Sequence, residues 1–379
     1  MQRQPAHRRT SARRWPIVLA VTAALVVVGG GASAFVLIAK DNPAKADVTT
    51  TKTILPFNLV TTTPAPNAQA VASSTTVTVS FSAPLAQTSP MPTLAPEVPG
   101  AWSLISPSEL EFVAAAPLVP GAAESILIPG GSTGMVSDQG VHLASSTTVP
   151  FSVATGSTLR LQQLLAQLGY LPLSFTPTTP MTSPTEEADV QQGTFGWRWA
   201  NQPTSLTSLW TVGEMNVITK GAIMDFEDQH NLKTDGQPGA QVWNDLLADA
   251  SSGHADANAY RYVYVTENDP ETVTVYQDGV VDYSTLANTG VPGAATQQGT
   301  FTVYARYLTT TMTGTNVDGS KYSDPGIPWV SYFNGGDALH GYDRGSYGFP
   351  QSNGCVEMPP ANAAVVYPLT PIGTLVTVG

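Results

Sequence analysis

Proline and glycine interrupt this chain so often that it favours short strands and turns over long helices: 31 prolines and 33 glycines fall among 379 residues. The segments between these breaks alternate and are rich in β-branched residues, as in Thr75-Thr76-Val77-Thr78-Val79-Ser80-Phe81 and Glu271-Thr272-Val273-Thr274-Val275-Tyr276. Only 12% of residues are charged, and a single cysteine, Cys355, excludes an internal disulfide framework. Each domain must therefore rely on its own apolar core, and the length allows two to four domains. The expected architecture is multidomain and mainly β.

The N-terminus carries Arg3, Arg8, Arg9, Arg13 and Arg14, then an uncharged run from Trp15 to Ala39. About 20 apolar residues suffice to cross a bilayer, so residues 1–40 read as a basic cytoplasmic tail and a transmembrane helix. The chain would then be a single-pass protein of the cell membrane with its bulk outside. A cleaved signal peptide is the alternative, with Ala32-Ser33-Ala34 and Ala44-Lys45-Ala46 as small-residue sites. The net charge of −12 conceals a split, because all 28 acidic residues lie beyond residue 40 against ten basic ones. No basic face is visible for nucleic acid, and none is expected as a partner.

Residues 41–68, rich in Thr, Pro and Ala, read as a stalk. Residues 69–155 read as an all-β module of short strands separated by Pro and Gly clusters, a sandwich. Residues 157–250 change period. Leu159, Leu161, Leu164, Leu165 and Leu168 fall at helical spacing, a second helix begins near Thr219, and a third near Val242. An insertion at about 174–216 holds Phe195, Trp197, Trp199 and Trp210, which either stack on sugar or peptide or fill a core. Residues 255–379 return to strands, with Asp278-Gly279 marking a tight hairpin.

The chemistry gathers at the C-terminal end. Cys355 lies in Ser352-Asn353-Gly354-Cys355, and His340-Gly341 precedes it by fifteen residues. A lone thiol is a poor structural element outside the cytoplasm, and a histidine at this distance suggests a nucleophile and its base. Gly354 allows close backbone approach to a substrate, and the amides of Asn353, Gly354 and Cys355 are candidates for an oxyanion hole. No second cysteine or histidine lies nearby in sequence, so neither a metal nor another cofactor is expected there. His254 falls in a linker, and His142 and His230 fall in the two upstream domains.

His340, Gly341, Ser352, Gly354 and Cys355 resemble the motif of the L,D-transpeptidase catalytic domain, the YkuD family. The sequence departs from it at Asn353, where the family usually has His, and at Glu357, where it has Arg or Asn. Thr289-Gly290 and Thr296-Gln297-Gln298-Gly299-Thr300-Phe301 are similar to further segments of that domain. The resemblance implies a mostly β C-terminal domain with Cys355 as nucleophile, His340 as acid and base, and the Gly341 carbonyl orienting the imidazole. It gives Ser352 a supporting hydrogen bond, against which stands a plain turn hydroxyl. Asn353 is a candidate to orient a substrate carbonyl.

Trp329, Tyr332 and Phe333 are expected either to wall the groove or to pack beneath it. Tyr342 and Tyr347 would belong to a lid, and Glu357 to the donor pocket. The implied partners are peptidoglycan stem peptides as donor and acceptor, with carbapenem β-lactams as inhibitors. The implied activity crosslinks the third residues of two stems. The alternatives are an L,D-carboxypeptidase using the same thiol, and a catalytically impaired wall-binding protein. A sortase is disfavoured because no arginine follows the cysteine.

Two weaker resemblances complete the domain plan. Phe81-Ser82-Ala83-Pro84, Gly100-Ala101-Trp102 and Pro117 to Gly121 are similar to bacterial immunoglobulin-like domains. Leu168-Gly169-Tyr170, Ala222-Ile223 with Phe226, Leu232 with Asp235-Gly236, and Val242-Trp243 with Leu246 resemble the small helical peptidoglycan-binding domain.

Overall fold

Alternation in the first β-rich segment sets two sheets face to face. The structure, a computed structural model, describes residues 54–379. Eight strands come first: β1 (Leu59–Thr63), β2 (Ala68–Val71), β3 (Val77–Phe81), β4 (Thr93–Ala95), β5 (Gly100–Ser106), β6 (Glu109–Ala114), β7 (Ala123–Ile128) and β8 (Thr147–Val153). They pair as β1-β3-β6-β5 and β2-β8-β7-β4. Every second residue of β3 (Val77, Val79, Phe81) and of β7 (Ile126, Ile128) enters one shared core with Leu110 and Val149.

The start of this sandwich corrects the stalk assigned to 41–68. Phe57 is buried and stacks on Phe81 with ring centroids 5.2 Å apart, and β1 pairs with β3. The Thr-rich composition that suggested an extended stalk also suits a strand, because Thr is β-branched and pairs well in sheets. The assigned anchor and the first part of the stalk lie outside the described residues. Among the described residues no helix is long and apolar enough to cross a membrane.

The next segment is built around α1 (Thr158–Gln167), the paired strands β9 (Leu173–Pro177) and β10 (Gly193–Trp197), the short α2 (Thr204–Thr207), α3 (Val217–Gln229) and α4 (Ala240–Ser252). Ser157 caps α1 by accepting from the Arg160 amide at 3.1 Å, and Asn216 caps α3 by accepting from the Thr219 amide at 2.9 Å. Leu161, Leu164 and Leu165 meet Ile223, Phe226, Trp243 and Leu246 in one cluster. The aromatics of the insertion pack against this cluster, with Phe195 set between Phe175 and Trp210. Trp199 instead stacks on Tyr260, just before the C-terminal sheet begins.

The C-terminal region holds β11 (Arg261–Thr266), β12 (Thr272–Gln277), β13 (Val280–Leu286), β14 (Gly299–Thr302), β15 (Ala305–Thr315), β16 (Lys321–Asn334), β17 (Asp337–Gly341), β18 (Val356–Met358), α5 (Pro360–Val366) and β19 (Leu375–Val378). One sheet runs β13-β12-β11-β19-β14, and the other runs β15-β16-β17-β18. Asp278 and Gly279 turn with φ of 51° and 81°, the left-handed pair that the Asp-Gly signal implied. Val263, Val275, Val376, Leu339, Val356 and Met358 form the core between the sheets.

The helical segment and this sheet share a seam. Tyr262 and Leu375 belong to the helical core, and the Tyr262 hydroxyl donates to Ser205 Oγ at 2.8 Å. Gly221 on α3 allows the approach, since a Cβ there would lie 2.6 Å from the Gly373 carbonyl oxygen.

Candidate active site

Strands β17 and β18 run parallel, with Leu339 opposite Val356 and His340 opposite Glu357. Side chains alternate along a strand, so while Leu339, Val356 and Met358 enter the core, His340 and Glu357 face the other way. Cys355, one residue before β18, shares that outer face with Glu357. His340, Cys355 and Glu357 thereby line one cavity of about 390 Å³. The spacing of the motif is thus converted into one surface by a parallel pair of strands.

The turn that presents the thiol is held from within. Ser352 is buried; its hydroxyl donates to the Cys355 carbonyl and accepts from the Gly354 amide at 3.1 Å. It acts as a turn hydroxyl closing its own loop. Gly354 has φ of 116°, and a Cβ there would lie 2.7 Å from Asp337 Oδ1. The segment around Thr289-Gly290 supports the turn from outside. The Ser352 amide donates to the Thr289 carbonyl, the Val291 amide donates to the Ser352 carbonyl, and the buried carboxylate of Glu271 accepts from both donors of Thr289.

His340 is buried, and its Nδ1 lies 3.0 Å from the Gly341 carbonyl oxygen. A carbonyl only accepts, so Nδ1 carries the proton and Nε2 keeps its lone pair. Burial pushes the imidazole below its ordinary pKa, against the Gly341 hydrogen bond and the charge of Glu357. Burial also pushes the Cys355 thiol up to about 12, although the Ala338 amide favours the thiolate. The thiol donates to the Gly336 carbonyl at 3.6 Å, and among the described residues no hydrogen bond joins it to His340. Both shifts favour the neutral forms, the thiol and the imidazole, over an ion pair.

A salt bridge that the sequence did not indicate stands beside His340. Arg344 donates through Nε and Nη2 to the two oxygens of Glu357, at 2.7 and 2.8 Å, and Nη2 also reaches the Gln351 carbonyl. Its guanidinium lies 4.6 Å from the centre of the Tyr342 ring. Glu357 therefore does not leave this wall anionic. The guanidinium beside Glu357 comes from the loop after His340. Tyr342 lines the cavity, while the Tyr347 hydroxyl donates to the Tyr342 carbonyl and accepts from the Arg344 amide. These two bonds brace the loop internally, and the Arg344–Glu357 pair joins it to β18.

The covering element is the long hairpin of β15 and β16. Met312, Asn316, Tyr322, Asp324 and Ile327 bring it to the cavity, and Asn353 Nδ2 donates to Asn316 Oδ1 at 2.7 Å. The turn pair Asp318-Gly319 at its tip, with Gly319 at φ 86°, was the available signal for this hairpin. Of the three aromatics expected at the groove, Phe333 is buried in the core between the sheets and Trp329 packs against that core beside Tyr367. Tyr332 is half-buried and packs on the small cluster of Ile327, Val330 and Ala338 that Cys355 and Tyr342 also touch. Burial is the commoner use of large aromatics, and it takes Phe333 and Trp329 away from the cavity.

Residues 260–378 match the family described as YkuD: L,D-transpeptidase catalytic domain. No curated protein matches the chain. Among solved structures, the chain is similar to an L,D-transpeptidase from Mycobacterium smegmatis at 15% identity and a TM-score of 0.29, over 86% of this chain and all of that one. L,D-transpeptidase 3 from Mycobacterium tuberculosis aligns at 12% identity and a TM-score of 0.30, over 85% of this chain and 98% of that one. The catalytic domain of the Enterococcus faecium L,D-transpeptidase aligns at 27% identity and a TM-score of 0.30, over 33% of this chain and all of that one. The family match spans β11 to β19 and includes the strands and the turn that carry His340 and Cys355, so residues 260–378 are a YkuD-type L,D-transpeptidase catalytic domain.

Proposed function

We propose that this protein crosslinks peptidoglycan by joining the third residues of two stem peptides through a thioester on Cys355. The observation that carries the reading is the shared cavity of Cys355 and His340, with the imidazole tautomer set by Gly341. In the first step the sulfur attacks the carbonyl carbon after the third residue of a tetrapeptide stem. The thiol proton passes to His340 Nε2, and the imidazolium then protonates the nitrogen of the departing D-alanine as the carbon–nitrogen bond breaks.

In the second step the side-chain amine of a diaminopimelate on another stem attacks the thioester. It loses a proton to His340, the carbon–sulfur bond breaks, and the imidazolium passes that proton to the departing sulfur to restore the thiol. The amides of Asn353 and Cys355 are the candidates to receive the carbonyl oxygen as it becomes charged, because the Gly354 amide is engaged by Ser352.

In this reading the run Trp15–Ala39 holds the chain in the cell membrane, and the catalytic domain works on the wall side. Carbapenems would acylate Cys355; a related L,D-transpeptidase, LdtMt1, has been solved in complex with imipenem. The helical segment would contact the wall. The test is mass spectrometry of tetrapeptide muropeptides incubated with the full chain and with Cys355→Ala. Crosslinked dimers that vanish in the variant are expected. Tripeptide alone would establish an L,D-carboxypeptidase. No product, together with no carbapenem adduct on Cys355, would leave a wall-binding protein.

A further inference from the structure

Three residues that the sequence scatters meet on the helical segment, away from the catalytic cavity. His230 closes α3, Asp249 lies on the last turn of α4, and His254 follows that helix. Gly253, at φ 71°, is the left-handed cap that turns the chain back so that His254 reaches the Asp249 side chain. His230 Nε2 lies 3.0 Å from Asp249 Oδ2, and His254 Nδ1 lies 3.2 Å from Asp249 Oδ1. The three ligand atoms lie within 4.8 Å of one another.

The hydrogen bonding leaves a charge to be supplied. His230 Nδ1 lies 2.9 Å from the Phe226 carbonyl oxygen, which only accepts, so Nδ1 carries a proton. The ring is also stacked on Phe226 at 3.9 Å between centroids, which fixes its plane. In the neutral imidazole, Nε2 then points a lone pair at a carboxylate oxygen 3.0 Å away. Two lone pairs at that distance need a cation between them, either a second proton or a metal ion.

Geometry fits the metal. Ligands about 2.0–2.2 Å from a tetrahedral zinc stand about 3.3 Å apart; the two nitrogens face different oxygens of Asp249 and the three ligand atoms lie within 4.8 Å of one another, so the exposed His254 side chain would swing inward to share one carboxylate oxygen with His230. An imidazole nitrogen whose partner N–H is bonded to a backbone carbonyl is the usual outer-shell arrangement for a histidine ligand.

We propose that His230, Asp249 and His254 bind a borderline divalent cation of the zinc class. Two nitrogens and one carboxylate oxygen suit zinc better than magnesium or calcium, which prefer oxygen alone. His254 is exposed, so the fourth position is open to water. The ion would pin the end of α3 to the end of α4 and to the segment that leads into β11. It would serve as a structural clamp at the entrance to the catalytic sheet.

The experiment uses the full chain in detergent, prepared without a polyhistidine tag and stripped by a chelator. Zinc is added by equilibrium dialysis and counted by mass spectrometry of the metal. One zinc per chain is expected, with an affinity at least about tenfold weaker in both His254→Ala and His230→Gln. His254 is on the surface, so its variant keeps the fold, and circular dichroism verifies this. Cys355→Ala is dialysed in parallel and is expected to bind zinc as the parent does. Zinc bound equally by the His254→Ala variant, or lost with Cys355→Ala, would overturn the site. So would the absence of stoichiometric zinc, which would leave Asp249 paired with a protonated His230.

Discussion

Burial acts in opposite directions on Cys355 and His340, raising the thiol and lowering the imidazole, so both shifts favour the neutral forms. In the proposed mechanism, proton transfer from sulfur to Nε2 would then belong to the attack itself, as the substrate excludes water and the carbonyl oxygen takes up the developing charge. The reactivity of the free enzyme should report this. Alkylation of Cys355 by iodoacetamide is expected to rise about tenfold per pH unit from pH 7 to 10, because the thiolate fraction does so below the thiol's value of about 12. His340→Ala should leave that slope in place and abolish turnover. A plateau below pH 8 would mean a preformed ion pair and would remove this account.

The turn of residues 352–355 and the β15–β16 hairpin meet through a single side-chain bond, from Asn353 to Asn316. Asn353 is one of the two positions at which the sequence departs from the motif it resembles, and its partner lies at the hairpin tip. An exposed hydrogen bond is worth about 0.5–1 kcal/mol, so Asn353→Ala and Asn316→Ala should each raise KM about threefold. The double variant should be no worse than either, and steady-state kinetics on the tetrapeptide donor would check that coupling. Such elements also mark what could be read without coordinates. The alternating runs and the Asp278-Gly279 turn were plain, because local sterics decide them. His340 and Cys355 were plain because a lone thiol and a histidine carry chemistry in their composition. Arg344 was not, since a loop arginine acquires meaning only when parallel pairing sets Glu357 beside His340. Trp329, Tyr332 and Phe333 could not be sorted between groove and core, because strand period gives the face of a side chain and not what covers it.

Among the described residues, three carboxylates are shifted far enough to shape the response of the fold to acid. Burial raises Glu124 in the sandwich and Asp225 and Glu227 on α3 to about 7. Between about pH 4.5 and 7 the folded chain holds protons that the unfolded chain releases, so each group takes away stability as pH rises through that window. Glu124 is the sharpest instance, for its Oε2 is buried with no partner among the described residues. The melting temperature of Glu124→Gln relative to the parent should therefore climb from pH 4.5 to 7 and level off above. The gain at the plateau should be about 1–3 kcal/mol, measured by calorimetry. A flat difference would mean that Glu124 is charged in the folded protein. The seam where Tyr262 and Leu375 sit at once in the helical core and in the catalytic sheet has a mechanical meaning. The seam couples the helices to the sheet, so if the helices grip a wall strand as proposed, that grip would set both the distance and the angle at which Cys355 meets its neighbour. The two parts would then work as the jaws of one caliper rather than as a tool on a tether.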